Sequence, residues 1–279
     1  MKLEQLASGF QHTEGPVWLP EERALLFSEG HGPQHGRYVL RPNGHPERLA
    51  DNSDYPNGNA RAPDGTLYGC SHGRRALERR RSDGTWISVA THYRGARLNS
   101  PNDCTVRTTD GTVWFTDPPY GITQPGQGYP ATPEQPGSYV YCFDPQTGHL
   151  RAAITDMYRP NGLVFAPDQT HLYVADSSHY DDPERGFCHV RRYRIGADGA
   201  ATFEQIFARN EHGEPDGLAV DAAGNLYVTT AVGVDVYTPD GAKTRVIPVP
   251  EVCANVCFGA GRLWVCAGGS VYASSEVVG

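Results

Sequence analysis

Six polar side chains recur along this chain in one local setting, and four of them carry oxygens suited to holding a hard cation. They are Glu14, Asn57, Asn102, Asn161, Asp216 and Asn255, spaced 39 to 59 residues apart. Each stands nine to twelve residues before an aromatic or leucine in a strand-like segment: Leu26, Tyr68, Trp114, Tyr173, Tyr227 and Trp264. Glu14, Asn102, Asn161 and Asp216 together offer two carboxylates and two amide carbonyls. Four such hard donors suit Ca2+, or Mg2+ or Mn2+, with water or substrate completing the coordination. A shared cation also explains why two acids would converge, since Glu14 and Asp216 side by side in a low-dielectric channel otherwise repel until one is neutralised. Pro-Asn-Gly and Pro-Asn-Asp form good turns on their own, so any single Asn here also reads as a turn residue. Six in register favour the common site, because Glu14 in Thr-Glu-Gly-Pro-Val-Trp is no turn former.

The elements that must bring these residues together are short strands joined by tight turns. One set of turns is Pro63-Asp64-Gly65, Thr109-Asp110-Gly111, Pro167-Asp168-Gln169, Ala223-Gly224 and Gly259-Ala260-Gly261; a second is Arg41-Pro42-Asn43-Gly44, Ser82-Asp83-Gly84, Pro145-Gln146-Thr147-Gly148, Ala197-Asp198-Gly199 and Pro239-Asp240-Gly241. These residues tolerate positive φ, and β-branched and aromatic residues flank them. Dividing 279 residues by six leaves about 46 for each unit, a propeller-blade period. The pattern predicts an all-β, six-bladed β-propeller with four-stranded blades, spanning residues 1–279 as one domain. The N-terminal strand around Leu3–Phe10 is expected to complete the last blade and close the ring, removing exposed sheet edges.

In that topology the innermost strand of each blade begins at one rim, and the next strand returns to it. The residues ending the return strands, Glu29, Ser71, His72, Asp117, Asp176 and Thr230, are therefore expected on the ligand face. A Pro- and Gly-rich stretch from Pro118 to Ser138 reads as a long loop over the same mouth. Asn59, His72, Asp117 and Tyr120 are the predicted substrate contacts, His72 as a group that polarises substrate or moves protons. His12, His31 and His35 cluster near glycines, but no H-x-x-x-H or C-x-x-C spacing supports a zinc site.

Composition narrows the class. A formal charge of −8 argues against nucleic acid and anionic membrane, which both need a basic face. No signal-peptide pattern opens the chain and no run of 18 apolar residues occurs, so a cytoplasmic location is expected. Seven cysteines at irregular spacing read as reduced thiols. The expected state is a monomer or a weak homo-oligomer.

With these residues in view, the chain resembles the SMP-30/gluconolactonase/LRE family, and within it the bacterial gluconolactonase branch. The resemblance is carried by Glu14-Gly15-Pro16-Val17-Trp18, Asn57-Gly58-Asn59, Cys70-Ser71-His72-Gly73, Asn99-Ser100-Pro101-Asn102-Asp103, Trp114-Phe115-Thr116-Asp117-Pro118-Pro119-Tyr120-Gly121, Arg159-Pro160-Asn161-Gly162, Glu214-Pro215-Asp216-Gly217 and Asn255-Val256-Cys257. Each motif is short; their order and spacing together are specific. The resemblance implies one divalent cation on Glu14, Asn102, Asn161 and Asp216, a sugar-lactone hydrolase activity, and Asp216 as general base. Calcium is the expected ion, with Mn2+, Zn2+, Mg2+ and Fe2+ as alternatives. The animal branch carries an arginine where this chain has Ser100, so substrate contacts do not transfer from that branch. The expected reaction is hydrolysis of an aldonolactone; the alternatives are a propeller hydrolase acting on aryl lactones or phosphotriesters, and a non-catalytic calcium-binding propeller.

Overall fold

Each repeat forms a four-stranded antiparallel sheet, and six of these sheets make the blades of a ring. The computed structural model describes residues 1–41, 44–184 and 186–274, so Pro42 and Asn43 of one expected turn lie outside the described residues. The innermost strands of blades 1 to 6 are Thr13–Leu19, Pro56–Arg61, Cys104–Val106, Pro160–Phe165, Leu218–Val220 and Cys253–Gly259. Their return strands are Ala24–Glu29, Leu67–Ser71, Val113–Asp117, His171–Asp176, Leu226–Thr230 and Arg262–Ala267. In blade 6 the outermost strand is Leu3–Ser8, paired antiparallel with Ser270–Ser274. The ring therefore closes through the strand Leu3–Ser8.

Strand alternation builds the core between blades. In Ala24–Glu29, Leu25 and Phe27 pack toward Trp264, Cys266 and Val271 of blade 6, while Leu26 packs toward Leu67 and Trp86 of blade 2. A cluster of this kind fills each interface between neighbouring blades. Because both faces of every sheet are covered, the return strands are buried along almost their whole length. A buried pair, Arg37 and Glu78 at 3.3 Å, joins blades 1 and 2, with the guanidinium 3.6 Å over the Trp86 ring.

The tight turns behave as their sequences require. Gly65, Gly84, Gly111, Gly148, Gly199, Gly224 and Gly241 all have positive φ. All seven cysteines are free, five of them buried. Among the described residues no helix is long and apolar enough to cross a membrane.

Candidate functional site

Regular pairing breaks where the recurring polar residues stand. The ladder between innermost and return strand shifts register between Glu14 and Val17, Pro56 and Asn59, Pro160 and Leu163, and Cys253 and Asn255. In blades 3 and 5 the regular ladder starts only at Cys104 and Leu218, just past Asn102 and Asp216. Such bulges re-aim side chains out of the pleat. Here they free one polar residue per blade from facing a neighbouring sheet.

Glycine follows that residue in four of the six blades, and the crowding explains it. A Cβ on Gly162 would come within 2.2 Å of the Asp216 carbonyl oxygen, and one on Gly15 within 2.4 Å of the Asn57 carbonyl oxygen. The close approach is used for hydrogen bonds from blade to blade. Gly58 donates its N–H to the Asn102 carbonyl at 2.8 Å, Gly162 to Asp216 at 3.1 Å and Gly217 to Ala254 at 2.7 Å. Blade 3 instead has Asp103, which sequence reasoning passed over. Its carboxylate accepts the Cys104 N–H at 2.8 Å and the Asn255 amide at 3.2 Å. An acid at a position that is glycine in four sister repeats was the available signal.

Glu14, Asn57, Asn102, Asn161 and Asp216 all line one cavity of about 490 Å3. Asn255 sits behind it, donating to Glu14 Oε1 at 2.5 Å and to Asp103 Oδ2. Burial raises the Glu14 carboxyl above its ordinary range, and Asp103 adds to the effect. Asp216 is raised well above its own by burial and then by Glu14 and Asp103. Asp103 itself is lifted to about 7, mainly by burial. Among the described residues, no lysine or arginine lines the cavity to offset these charges. Two further features suit a bound cation. Asn57 Oδ1 is buried without a hydrogen-bond partner, and the Asn161 amide nitrogen is engaged with Ser177 Oγ at 3.2 Å, leaving its oxygen to accept. Oxygen donors around crowded acids, with one orphaned carbonyl beside them, fit a hard divalent ion.

The stretch after Asp117 does cover this mouth. Tyr120, Gln124 and Gln127 line the cavity, and the loop is tied to blade 1 by the Gly32 N–H on the Gly126 carbonyl at 3.0 Å. Ser100 pins its base, donating to the Pro118 carbonyl at 2.6 Å and accepting the Gly121 N–H at 2.9 Å. Tyr120 is buried with a hydroxyl that has no partner in the structure. Burial, then Asp216, holds its pKa well above the usual value, so it stays a neutral donor.

Three expected substrate contacts are placed elsewhere. Asn59 is consumed within the protein: its Oδ1 accepts from Arg37 Nε at 2.8 Å and its amide donates to the Gly15 carbonyl at 2.9 Å and to Ser28 Oγ at 2.9 Å. Asp117 takes the Asn99 N–H at 2.8 Å and does not line the cavity. The same device recurs, since Glu29 accepts the N–H groups of Gln11, His12 and His31, and Asp176 those of Tyr158 and Ser178. Acids ending the return strands fasten the segments that approach the axis. His72 lies just behind the lining, its Nδ1 3.1 Å from the Gln127 carbonyl and therefore protonated there. Burial lowers its pKa to about 4, so near neutrality it holds the loop as an uncharged ring with its single proton on Nδ1. His12 and His31 do line the cavity, stacked at 4.1 Å, and burial lowers them to about 3 and about 4.

Comparison with known proteins adds a family to this geometry. The profile of the SMP-30/gluconolactonase/LRE-like region matches residues 12–268. The chain is 32% identical to a gluconolactonase of Zymomonas mobilis over 92% of its own length and 76% of the relative's. It is similar to the solved gluconolactonase of Xanthomonas campestris, with 34% identity, a TM-score of 0.90, and coverage of 98% of this chain and 88% of that one. A calcium-binding regucalcin of Agrobacterium tumefaciens shares the fold at 18% identity and a TM-score of 0.74, over 97% of this chain and 92% of that one.

Proposed function

The chain belongs to the SMP-30/gluconolactonase/LRE-like family, and on that premise we propose that it is a lactonase that hydrolyses a sugar lactone to its open acid with one divalent cation at the axis. The observation that carries this reading is the convergence of Glu14, Asn102, Asn161 and Asp216 on one cavity. Those four side chains would hold the ion, and calcium is the ion their all-oxygen chemistry favours. Bound there, a divalent cation supplies positive charge against the negative charge that grows on the lactone oxygen.

The protein's own residues do the rest. Asp216 is the proposed base: as carboxylate it takes a proton from water as the water oxygen bonds to the lactone carbonyl carbon. The bond from that carbon to the ring oxygen then breaks, and the same proton completes the new hydroxyl. Tyr120 lines the cavity, carries a hydroxyl without a partner, and is the proposed contact for a sugar hydroxyl. Gln124 and Gln127 add amides from the loop that His72 and Ser100 hold in place. A neutral sugar suits this wall, since Glu214 and Asp216 both face the cavity and oppose an anionic substrate.

The test is a pH-stat assay on gluconolactone, galactonolactone, dihydrocoumarin and a phosphotriester with purified Ca2+-loaded protein. The aldonolactones should be the faster substrates. Asp216→Asn should keep the fold and lower kcat by about 100-fold or more, the range of a lost general base. Undiminished turnover in that variant removes Asp216 from the chemistry, and a preference for the aryl lactone or phosphotriester overturns the substrate class.

A further inference from the structure

A second constellation of ligating atoms lies at the rim of the same mouth, built from donors of a different kind. The side chains of His179, Cys188 and Glu214 each place a ligating atom within 4.8 Å of the other two. All three are half-buried, and among the described residues none of these donor atoms enters a hydrogen bond or ion pair. Ordinary polar groups this close to one another pair up or point into water. A nitrogen, a sulfur and a carboxylate oxygen that converge without bonding to each other instead match the ligand set of a borderline-soft divalent metal. We propose that His179, Cys188 and Glu214 form a Zn2+ site at the rim of the cavity, separate from the all-oxygen site at the axis.

The backbone around two of the donors, His179 and Cys188, is held by hydrogen bonds. The turn Ser178–Tyr180 that carries His179 is anchored by the Ser178 N–H on Asp176 Oδ1 at 3.1 Å, and the His179 N–H reaches the Phe187 carbonyl at 3.3 Å. Cys188 directly precedes the strand His189–Ile195, and its carbonyl accepts the Asn210 N–H at 3.0 Å. Ligands around tetrahedral zinc stand about 3.5 Å apart given metal–ligand bonds of about 2.0–2.3 Å. The trio's present separations of up to 4.8 Å would have to close by about 1 Å, with water as the fourth ligand. Burial, together with the Glu214 charge, holds the Cys188 thiol up to about 11, so it carries its proton until a metal displaces it.

The position gives the site a consequence. Glu214 lines the cavity two residues before Asp216, and Tyr180, next to His179, lines it as well. An ion on the trio would tie the turn bearing His179 and Tyr180 to the segment bearing Glu214 at the edge of the mouth. The hard axial site and the soft rim site would then fill independently, each from its own class of metal.

The experiment uses the full-length protein with saturating Ca2+, titrated with Co2+ as a spectroscopic substitute for Zn2+. One equivalent of Co2+ should bind with a thiolate-to-cobalt charge-transfer absorption in the near ultraviolet, and Zn2+ should displace it. Cys188→Ser should abolish the band, His179→Ala should weaken Co2+ binding by about tenfold or more, and Cys253→Ser, which alters the cysteine lining the axial cavity, should leave the band intact. A band that survives Cys188→Ser, or tracks Cys253, overturns the proposal, as does the absence of any thiolate band in the folded wild type. The readout does not pass through lactone turnover: an Asp216→Asn protein without activity must still show the band.

Discussion

Asp103 shows how one residue changes the chemistry of the whole axis. It stands where four sister repeats have glycine, and its carboxylate brings a third acid toward Glu14 and Asp216. Burial lifts the Asp103 carboxyl from 3.8 to about 7 and raises Glu14 and Asp216 as well. A carboxyl whose pKa is higher folded than unfolded contributes stability fully below the unfolded value and loses it as pH rises through the folded one. The metal-free protein therefore loses this contribution between about pH 4 and about pH 7. A cation that takes up the charge restores it. The gap in melting temperature between Ca2+-loaded and chelated protein should accordingly be wider at about pH 8 than at about pH 5. His12, His31 and His72 shift the opposite way, with stability present above 6.5 and lost toward about 3 to 4, and they lie in both forms, so the difference between forms is the quantity to measure. A gap that stays constant or narrows with rising pH would remove the cation from Glu14 and Asp216.

At the scale of the element, the innermost strand does its work by failing to be regular. A bulge at the polar residue turns it to the cavity, and the following glycine lets the neighbouring blade hydrogen-bond across. Gly162→Ala tests the second half of that device, because its new Cβ would sit 2.2 Å from a backbone oxygen and 2.7 Å from the Gly217 Cα. Neither neighbour can rotate away, so blades 4 and 5 must part where Asn161 and Asp216 are held. Denaturant unfolding should show a loss of about 1–3 kcal/mol, and lactone turnover should fall with it; a wild-type midpoint would mean the strands are free to separate. The repeat made the positions of these polar residues legible, but not the use of every neighbour. Asn59 follows Asn57 by two residues and should share its face in a regular strand. The bulge between Pro56 and Asn59 breaks that alternation and delivers Asn59 to Arg37 instead.

On the scale of the whole molecule, closure is what makes the axis a site. Six apolar interfaces hold the blades, and the last of them depends on Leu3–Ser8 pairing with Ser270–Ser274. Deleting residues 2–9 should leave that strand with an open edge, uncover Trp264 and Val271, and turn a single sharp thermal transition into a broad one with aggregation. Calorimetry and light scattering would decide, and an unchanged melt would mean the ring holds without its outer strand. The sequence by itself determined the six-fold repeat, the turns, the closing strand and the candidate oxygen ligands, because strand alternation, glycine turns and hard-donor chemistry are local properties written in residue order. Only the tertiary structure decided that Asn59 bonds to Arg37 and Asp117 to the Asn99 backbone, that Asp103 joins the acids at the axis, and that His179, Cys188 and Glu214 meet. Those outcomes depend on bulges that reverse a side chain's direction and on loops from different blades arriving at one rim, and spacing along a chain carries no record of either.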